Sequence, residues 1–233
     1  IYTDVDGVYT ADPRIVKNAR KIDEIIYDEM LELATSGAKV LHNRSVEMAK
    51  KYGVELVVRS SLTSEEGTVV KEVVKMEKML ITGVAADRNT VRISAIGVKD
   101  EPGIAFKLFN TLARNNINVD IILQSVGRNG TKDISFTVSE DDLQEALQIL
   151  EEKKDVLTIK EITYSTDVAK VSIVGAGMLS NPGVAAKMFE SLFNSNINIS
   201  IISTSEIRIT VLIDEKDTEK AMIAIHDGFG LND

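Results

Sequence analysis

The sequence contains no cysteine and no tryptophan, and its only histidines are His42 and His226. Without cysteine the chain can form neither disulfides nor thiolate metal sites, and two histidines are too few for a conventional zinc site. No apolar run approaches the roughly 18 residues that would indicate a membrane-spanning helix. We therefore expect no bound transition metal and no insertion into a membrane.

Positive charge is also scarce, because 27 Lys and Arg residues stand against 36 Asp and Glu residues, for a formal net charge of -9 at pH 7. Such a chain repels phosphate backbones and anionic lipid, so nucleic acid and membrane surfaces are not expected partners. An acidic sequence without cysteine is typical of the cytoplasm, which is the expected location. Neither an initiator methionine nor a signal peptide opens the sequence, and we expect the chain to be a fragment.

An internal repeat organises the chain. The segment PGIAFKLFNTLARNNINVDII, residues 102–122, matches PGVAAKMFESLFNSNINISII, residues 182–202, at about half of its positions without a gap. Two of the three prolines stand at the same place in each copy, just inside a helix start, where a missing amide hydrogen has no cost. The repeat predicts two domains of the same fold.

Each copy has the same order of periodic patterns, which predicts strand, helix, strand, strand and helix. Both first helices end in an asparagine-containing turn, where asparagine tolerates the left-handed conformation. The first copy is predicted to contain strands Val91–Val98, Val119–Val126 and Asp133–Val138, helices from Ile104 and over Asp141–Lys153, and a closing strand Thr158–Tyr164. The second is predicted to contain strands Lys170–Gly175, Ile199–Ser205 and Ile207–Ile213, and helices from Val184 and over Asp217–Phe229.

The closing strand is present in the first copy and missing from the second. With it, the first copy has the six elements of a ferredoxin-like βαββαβ unit. An additional apolar segment, Leu80–Ala86, precedes the first copy. We predict that this early strand completes the second sheet, so that the first repeat is an insertion within the second.

The first 62 residues do not repeat. Helical patterns at Asp28–Ser36 and Arg44–Tyr52 precede a buried-type strand, Val54–Ser60, which is typical of an α/β domain. The polar stretch Thr63–Gly67 predicts a boundary, and the charged segment Lys71–Lys78 predicts a linker or a connecting helix.

The opening stretch IYTDVDGVYTADPR combines aspartates, a glycine turn, a tyrosine and an arginine. A loop of this kind can present backbone amides and Arg14 to phosphates, and a carboxylate to a ribose or to metal-bound water. The alternative is a plain Asp-Gly turn between two strands. A calcium loop of the EF-hand type is disfavoured, because Val8 stands at its fifth position and the glutamate is absent.

The stretch TDVDGVYTADPR, followed by DEMLELATSGAKVLHNRSVEMAKKYGV and VRSS, closely resembles the end of the amino acid kinase domain of aspartate kinases. The paired repeats resemble the two ACT domains of the same family, and the resemblance covers essentially the whole chain. It implies an α/β remnant of the kinase domain at 1–66, a linker at 67–79, a first ACT domain at 88–166, and a second at 80–87 with 167–233. Asn43 departs from the family, which usually has proline there.

The resemblance also implies a nucleotide site and a catalytic activity for the complete enzyme, ATP-dependent phosphorylation of the aspartate β-carboxylate with ATP-Mg. Lys39, which would otherwise be interpreted as a solvated lysine, is expected to point toward the phosphates. The glycine-rich segment and the aspartate-binding residues of the family are absent, so we expect no catalytic residue, no cofactor and no kinase activity in the fragment itself. The residues implied to bind the nucleotide are Thr3, Asp4, Tyr9, Thr10, Ala11, Asp12, Pro13, Arg14 and Lys39.

Each repeat carries a Pro-Gly corner at a helix start, the first corner at Asp100–Gly103 and the second corner at Ser180–Gly183. Amides at a helix start suit a carboxylate, although a simple capping turn is the alternative, and Ile202–Ile209 equally fits an ordinary strand. The resemblance implies that lysine, threonine or both bind between the first module of one chain and the second of another. One side would be Asp100, Glu101, Pro102, Gly103, Ile104, Ala105, Asn118, Val119, Asp120 and Gln124; the other would be Val184, Ala185, Asn198, Ile199, Ser205 and Glu206.

Two functions remain open from the sequence. In the first, the chain belongs to a feedback-regulated aspartate kinase that assembles as a homodimer through its ACT domains. In the second, it is a separate amino-acid-binding regulatory subunit without catalysis that accompanies a catalytic subunit. The nucleotide-loop residues Asp4, Tyr9 and Arg14 favour the first, because a purely regulatory subunit has no need of them.

Overall fold

The computed structural model describes residues 1–38, 40–74, 80–127 and 129–232. The chain divides into two compact units. One comprises residues 1–87 together with 170–233, and the other comprises residues 88–169. The non-repeating first segment and the second repeat therefore belong to one unit, and the first repeat forms the other.

The helices and strands follow the order expected from the repeat. The first segment contains β1 (Tyr2–Thr3), β2 (Val8–Tyr9), β3 (Lys21–Ile22), β4 (Glu24–Ile26), α1 (Tyr27–Thr35), α2 (Asn43–Tyr52), β5 (Leu56–Ser60) and β6 (Thr68–Lys71). Next come β7 (Gly83–Asp87), β8 (Val91–Lys99), α3 (Ile104–Ala113), β9 (Ile122–Gln124), β10 (Thr131–Val138), α4 (Leu143–Glu152) and β11 (Glu161–Ser165). The remainder contains β12 (Val168–Val174), a 3-10 helix (Ala176–Ser180), α5 (Val184–Asn194), β13 (Ile201–Thr204), β14 (Arg208–Asp214), a short 3-10 turn (Glu215–Asp217) and α6 (Thr218–Phe229).

The first repeat folds as a four-stranded sheet in the order β11-β8-β10-β9, with antiparallel neighbours. Helices α3 and α4 bury their apolar residues against one face, where Leu108, Leu112 and Leu150 join Ile93 and Phe136 in one core. The ferredoxin-like prediction for this repeat is confirmed, including its closing strand β11.

The second repeat forms an equivalent sheet in the order β13-β14-β12-β7. Strand β7 pairs antiparallel with β12, with Val84 opposite Ile173 and Asp87 opposite Lys170. The early strand therefore completes the second sheet, and the prediction that the first repeat is inserted into the second is confirmed. The side chains of Asp87 and Lys170 form an ion pair of 3.0 Å at the point of insertion.

The helix starts and ends are nearly identical in the two repeats. Gly103 (φ 88°) and Gly183 (φ 95°) cap the starts of α3 and α5 in the left-handed conformation. Asn116 (φ 58°) and Asn196 (φ 52°) adopt the same conformation after these helices end, as the asparagine-rich turns predict. Each repeat therefore presents a corner built by the same local rules.

The first segment contributes a sheet in the order β1-β5-β6-β4 and the small hairpin β2-β3. Strand β6 lies between β4 and β5, with Val70 opposite Ile25 and Leu56. The predicted linker is therefore wrong over Thr68–Lys71, which complete this sheet. The end of the predicted linker, residues 75–79, lies outside the described residues.

The first segment packs on the face of the second sheet that α5 and α6 leave free. Met30 and Leu33 of α1 share a buried cluster with Ala85 of β7 and Val174 of β12. A Cβ atom at Gly37 would lie only 2.0 Å from the carbonyl oxygen of Ala86, so the two backbones touch where only glycine fits. The second sheet is thus buried on both faces within its unit.

Among the described residues, no helix is long and apolar enough to cross a membrane. The same part of the chain contains no group of three or more His, Cys, Asp or Glu side chains arranged to hold a metal ion.

Candidate functional site

The implied nucleotide segment is a hairpin whose base is fixed by buried contacts. Thr10 follows β2 and is buried; its backbone amide donates to the Arg20 carbonyl at 2.8 Å, and its hydroxyl accepts the Arg20 amide at 3.0 Å. The Thr10 carbonyl accepts the amide of Val84 on β7 at 2.8 Å. Thr10 therefore links the hairpin to the second repeat, and its side chain does not face solvent.

The buried ring of His226 on α6 holds the other side of Thr10. The His226 Nε2 and Thr10 Oγ1 atoms share a hydrogen bond of 2.9 Å. Burial lowers the pKa of His226 below its ordinary value, and the nearby Asp227 carboxylate opposes this shift only in part. Among the described residues, the His226 Nδ1 atom has no hydrogen-bond partner. The ring therefore lies between the last helix and the hairpin, in surroundings that disfavour its protonated form.

The exposed end of the hairpin carries an aspartate–arginine pair. Arg14 Nη2 lies 2.7 Å from Asp12 Oδ2, and Arg14 Nε donates to Asp12 Oδ1 at 3.0 Å, with the arginine side chain 89% exposed. This pairing lowers the pKa of Asp12 and raises the pKa of Arg14. The Asp4 carboxylate adds to the rise in the Arg14 pKa. Asp4, Asp12 and Arg14 thus form one electrostatic group on the surface.

The remaining nucleotide candidates have mixed environments. The Tyr9 hydroxyl donates to Asp6 Oδ1 at 3.0 Å, and burial together with Asp6 raises the Tyr9 pKa. Ala11 is buried against the core of the second repeat, whereas Pro13 is exposed, and the Thr3 hydroxyl donates to Asp4. Lys39 lies outside the described residues. Tyr9 and the tip of the loop are therefore accessible, whereas Thr10 and Ala11 are buried beneath them.

At the first corner, every acidic side chain has a lysine partner. Asp100 Oδ1 lies 3.0 Å from Lys132 Nζ, and the Asp100 amide donates to the Gly130 carbonyl at 2.8 Å. Glu101 pairs with Lys99 at 2.8 Å and Lys107 at 3.3 Å, which lowers the pKa of Glu101. The corner therefore combines backbone amides with neutralised carboxylates.

The sheet register spreads the first-repeat candidates along the sheet. Gln124 lies opposite Ile134, four residues along the chain from Gly130, whose carbonyl accepts the Asp100 amide. The Asp120 amide instead donates to the Thr137 carbonyl, seven strand residues from Gly130 and therefore about 20 Å along the sheet. Asn118 and Val119 precede Asp120 and lie at that far end. One copy thus leaves residues 118–120 away from the first corner, with Gln124 between the two.

The second-repeat candidates divide between the two ends of their sheet. The Gly175 amide at the end of β12 donates to the Ile207 carbonyl at 2.9 Å, which places the exposed Ser205 and Glu206 at the second-corner end. Asn198 and Ile199 precede β13, whose first residue lies opposite Leu212 at the far end.

Two of the candidate side chains point away from any ligand. Ile104 and Val184 are buried in the cores of their repeats at the first position of α3 and α5. Pro102 and Gly103 are exposed, and Ala105 and Ala185 are half-buried. Ile104 and Val184 can therefore contribute backbone amides but not side-chain contacts.

The structure adds a cleft that the sequence did not indicate. It has a volume of about 430 Å³ and is lined by Ser125, Val126, Thr131, Lys132 and Asp133. A bulge at Gly97 (φ 67°) shifts the register between β8 and β10 here, and the Gly97 amide donates to Asp133 Oδ1 at 2.8 Å. A bulge changes the direction in which nearby side chains point. The periodic pattern of the sequence did not predict this bulge, because Lys132 precedes the apolar part of β10.

The second corner also differs from the first through its preceding 3-10 helix, Ala176–Ser180. The Ala176 amide at the start of this helix donates to Glu29 Oε1 of α1 at 2.7 Å. Beside it, Arg208 of β14 forms an ion pair of 2.9 Å with Glu32 of α1. Helix α1 of the first segment therefore forms polar contacts with two elements of the second repeat.

Comparison with known proteins finds two family models in the chain. The amino acid kinase family model matches residues 1–60. The ACT domain model matches residues 91–153 and again 171–229, which are the two repeats.

The similar proteins are aspartokinases. The aspartokinase of Bacillus sp. (strain MGA3) is 50% identical over 233 residues, which cover 100% of this chain and 57% of that protein. The structure of E. coli aspartokinase III in complex with lysine and aspartate (T-state) is 29% identical, with TM-score 0.78, over 99% of this chain and 51% of that chain. The ligand-free regulatory subunit of aspartate kinase from Thermus thermophilus is 44% identical, with TM-score 0.61, over 64% of this chain and 99% of that subunit.

The chain spans little more than half of the length of the curated relatives that it matches.

Proposed function

Because this chain belongs to the aspartokinase family, we propose that it is the regulatory part of an enzyme that phosphorylates the β-carboxylate of L-aspartate with ATP. Its two ACT domains would sense the end products lysine and threonine in the pathway that makes lysine, threonine and methionine. The observation that carries the proposal is that one chain combines a segment of the amino acid kinase family, which contains the hairpin, with two ACT domains. The expected location is the cytoplasm.

The nucleotide part of the proposal rests on the exposed loop tip. Tyr9, Asp12 and Arg14 would contact ATP-Mg in the complete enzyme, with Asp4 close enough to act on Arg14. Arg14 would then exchange Asp12 for a phosphate, since arginine recognises either anion through the same paired donors. The bound nucleotide supplies the transferred phosphoryl group, and this chain contributes its positioning.

The sensing part of the proposal rests on the two corners. A zwitterionic amino acid requires donors for its carboxylate and acceptors for its ammonium group. The first corner offers both beside a cleft, through backbone amides near Gly103 and the oxygen atoms of Asp100, and Gln124 would add an amide group from the end of β9. The E. coli aspartokinase III structure in complex with lysine supports an amino acid as the ligand. We propose that a homodimer formed by the ACT domains supplies the second side of the ligand cleft.

Feedback would act through the second repeat. Its sheet shares a buried cluster with α1, and Thr10 of the nucleotide hairpin bonds to both β7 and α6. A ligand that favours one arrangement of the second repeat would therefore bias the hairpin by a coupling free energy of about 1–3 kcal/mol.

A separate regulatory subunit is the second candidate function. The observation in its favour is that the regulatory subunit from Thermus thermophilus is matched over 99% of its length. That subunit covers only 64% of this chain, and the hairpin with Tyr9 and Arg14 argues for the kinase.

The experiment that tests the sensing proposal is calorimetric titration of the chain with lysine, threonine and methionine, singly and mixed. We expect lysine, threonine or both to bind, and Asp100→Ala to weaken binding at least about tenfold because the Lys132 charge is then left without its partner. Unchanged affinity in Asp100→Ala would remove Asp100 from the site. Phosphorylation of aspartate by this chain, above a control without protein, would contradict the proposal that it is only the regulatory part.

A further inference from the structure

We propose that the end of α6 positions the loop that would carry the nucleotide, and that His226 is the positioning residue, which acts through Thr10. The loop runs from Thr10 to Arg20. The inference rests on the proposed function, because it takes this loop to contact the nucleotide. It goes beyond that function by naming the residues of the second repeat that hold the loop in place.

The first step is that the loop is closed by its own hydrogen bonds. The Thr10 amide donates to the Arg20 carbonyl at 2.8 Å, and the Arg20 amide donates to Thr10 Oγ1 at 3.0 Å. Within the loop, the Val16 amide donates to the Asp12 carbonyl at 2.8 Å. The contacts at the base and on the underside of this closed loop therefore set where Asp12 and Arg14 lie at its tip.

The second step is that these contacts come from the end of α6 and the residues after it. Three polar contacts, of 2.9, 3.2 and 3.1 Å, join His226 to Thr10, Asp227 to Asn18 and the Leu231 carbonyl to Arg20 Nε. On the underside, Ala11 and Val16 share a buried cluster with Met222 and Ile225 of α6. The loop is therefore fixed to α6 at both ends of its base and along its buried side.

Helix α4 of the first repeat shows that the ACT fold does not require this histidine. Buried residues have the same spacing in the two helices, namely Leu143, Ala146 and Leu150 in α4 and Thr218, Ala221 and Ile225 in α6. The next position is the exposed Glu151 in α4 and the fully buried His226 in α6. A buried polar side chain needs a partner, and Thr10 is the partner of His226. His226 therefore serves the contact with the loop rather than the fold of the repeat.

The third step is the direction of the hydrogen bond between His226 and Thr10. The Thr10 hydroxyl accepts the Arg20 amide, so its own proton is available to His226 Nε2. Asp227 Oδ1 lies 3.9 Å from His226 Nδ1, and a nearby carboxylate favours a ring proton on that nitrogen. His226 is therefore the acceptor that orients the Thr10 hydroxyl. Without the ring, the hydroxyl that closes the base of the loop is free to rotate.

The test is hydrogen exchange of the whole chain and its variants, followed by NMR. The reporters are the amides of Val16 and Ala19, which bond within the loop. We expect His226→Leu to speed their exchange about fivefold or more, because the loop loses a hydrogen bond that fixes it. His226→Gln, whose side chain can still bond to Thr10, should bring exchange back to within about twofold of the unaltered chain. Thr10→Val removes the hydroxyl from the other side and serves if His226→Leu does not fold by circular dichroism.

The effect on the nucleotide is measured in the same spectra with ADP-Mg as the probe. We expect ADP-Mg to shift the loop amide signals of the unaltered chain. The shift should require about fivefold more ADP-Mg in His226→Leu, because a loosened loop presents Arg14 less often in the binding position, and should return to the unaltered concentration in His226→Gln.

The matched control is Lys187→Met, which removes the ammonium group that lies 5.0 Å from the centre of the Phe229 ring of α6 and should leave loop exchange unchanged. Unchanged exchange in His226→Leu and Thr10→Val, or exchange that rises as much in β12 as in the loop, would overturn the inference while the nucleotide function stands. A faster loop with the same affinity for ADP-Mg would also overturn it. No shift of any loop amide by ADP-Mg in the unaltered chain would overturn both.

Discussion

The carboxylate of Glu29 accepts the backbone amide of Ala176 at 2.7 Å, joining residues 147 positions apart in the sequence. Glu29 lies in the first segment, and Ala176 begins the 3-10 helix that leads into the second corner. An ionised acceptor on a helix-start amide is one of the stronger hydrogen bonds in proteins. The contact therefore ties the second corner to the segment that carries the β2-β3 hairpin.

Removing this acceptor should destabilise the chain measurably. We expect Glu29→Ala to lower the free energy of unfolding by about 1–2 kcal/mol, because the partly buried Ala176 amide loses its partner. Glu47→Ala on α2, which removes an exposed glutamate, is the control and should change stability by less than about 0.5 kcal/mol. Urea denaturation measures both, and equal effects would show that the Glu29 contact contributes nothing.

The same contact should transmit ligand binding. In the unaltered chain, addition of a bound amino acid should change hydrogen exchange in α1, because Glu29 and Glu32 connect that helix to the second repeat. In the double variant Glu29→Gln, Glu32→Gln, the change at α1 should shrink while affinity measured by calorimetry stays within about threefold. An undiminished exchange response in the double variant would place the connection elsewhere.

Two glycines with positive φ should respond differently to alanine. Gly37→Ala places a Cβ atom 2.0 Å from the Ala86 carbonyl oxygen, whereas a Cβ at Gly53 meets nothing within 4 Å. We expect a loss of about 3 kcal/mol or more at Gly37 and of about 1 kcal/mol at Gly53, where only the backbone conformation is unfavourable. Urea midpoints of the two variants decide the matter. Similar losses would mean that α1 and β7 can move apart cheaply.

Stability should fall with acidification through His226. Its pKa in the folded chain lies below its ordinary value of 6.5, so the unfolded chain binds the proton first as the pH drops. Stability is therefore full above pH 6.5 and declines below it, until the folded-state pKa is reached. Between pH 7.5 and 5.5 we therefore expect this group to lower the free energy of unfolding as the pH falls.

The control for this pH dependence is the other histidine. His42 is exposed at the start of α2, and His42→Gln should keep the decline between pH 7.5 and 5.5. His226→Gln, which can still bond to Thr10, should flatten it. A decline of the same size in both variants would assign the effect to other titrating groups.

The repeat made most of the fold predictable. Because the helical and strand periods recur in order, the two sheets, their helices and even the displaced strand β7 followed from the sequence. The strand Thr68–Lys71 did not, since its parallel partner β4 is short and distant in sequence. The burial of the second sheet under α1 was equally invisible, because a buried strand has the same composition whatever covers its second face.

The candidate site was predictable only as a set of residue types. Resemblance placed Asp100 and Gln124 together, whereas the register puts Gln124 four residues along the chain from the Gly130 that bonds to Asp100. It did not indicate that residues 118–120 lie at the other end, because spacing along a chain says nothing about which strand ends meet. Lys132 carried no signal, since a lysine before a strand is ordinary until the bulge at Gly97 is known.

The register of Asp87 opposite Lys170 has a further consequence for how such a chain can be altered. Paired neighbours need only a tight turn to join them, so residues 88–169 amount to an oversized hairpin loop. An engineer could cut out this cassette, close the gap with a two-residue Asn-Gly turn, and keep the parent sheet intact. A sensor domain from another protein could also be inserted at the same point, in place of residues 88–169.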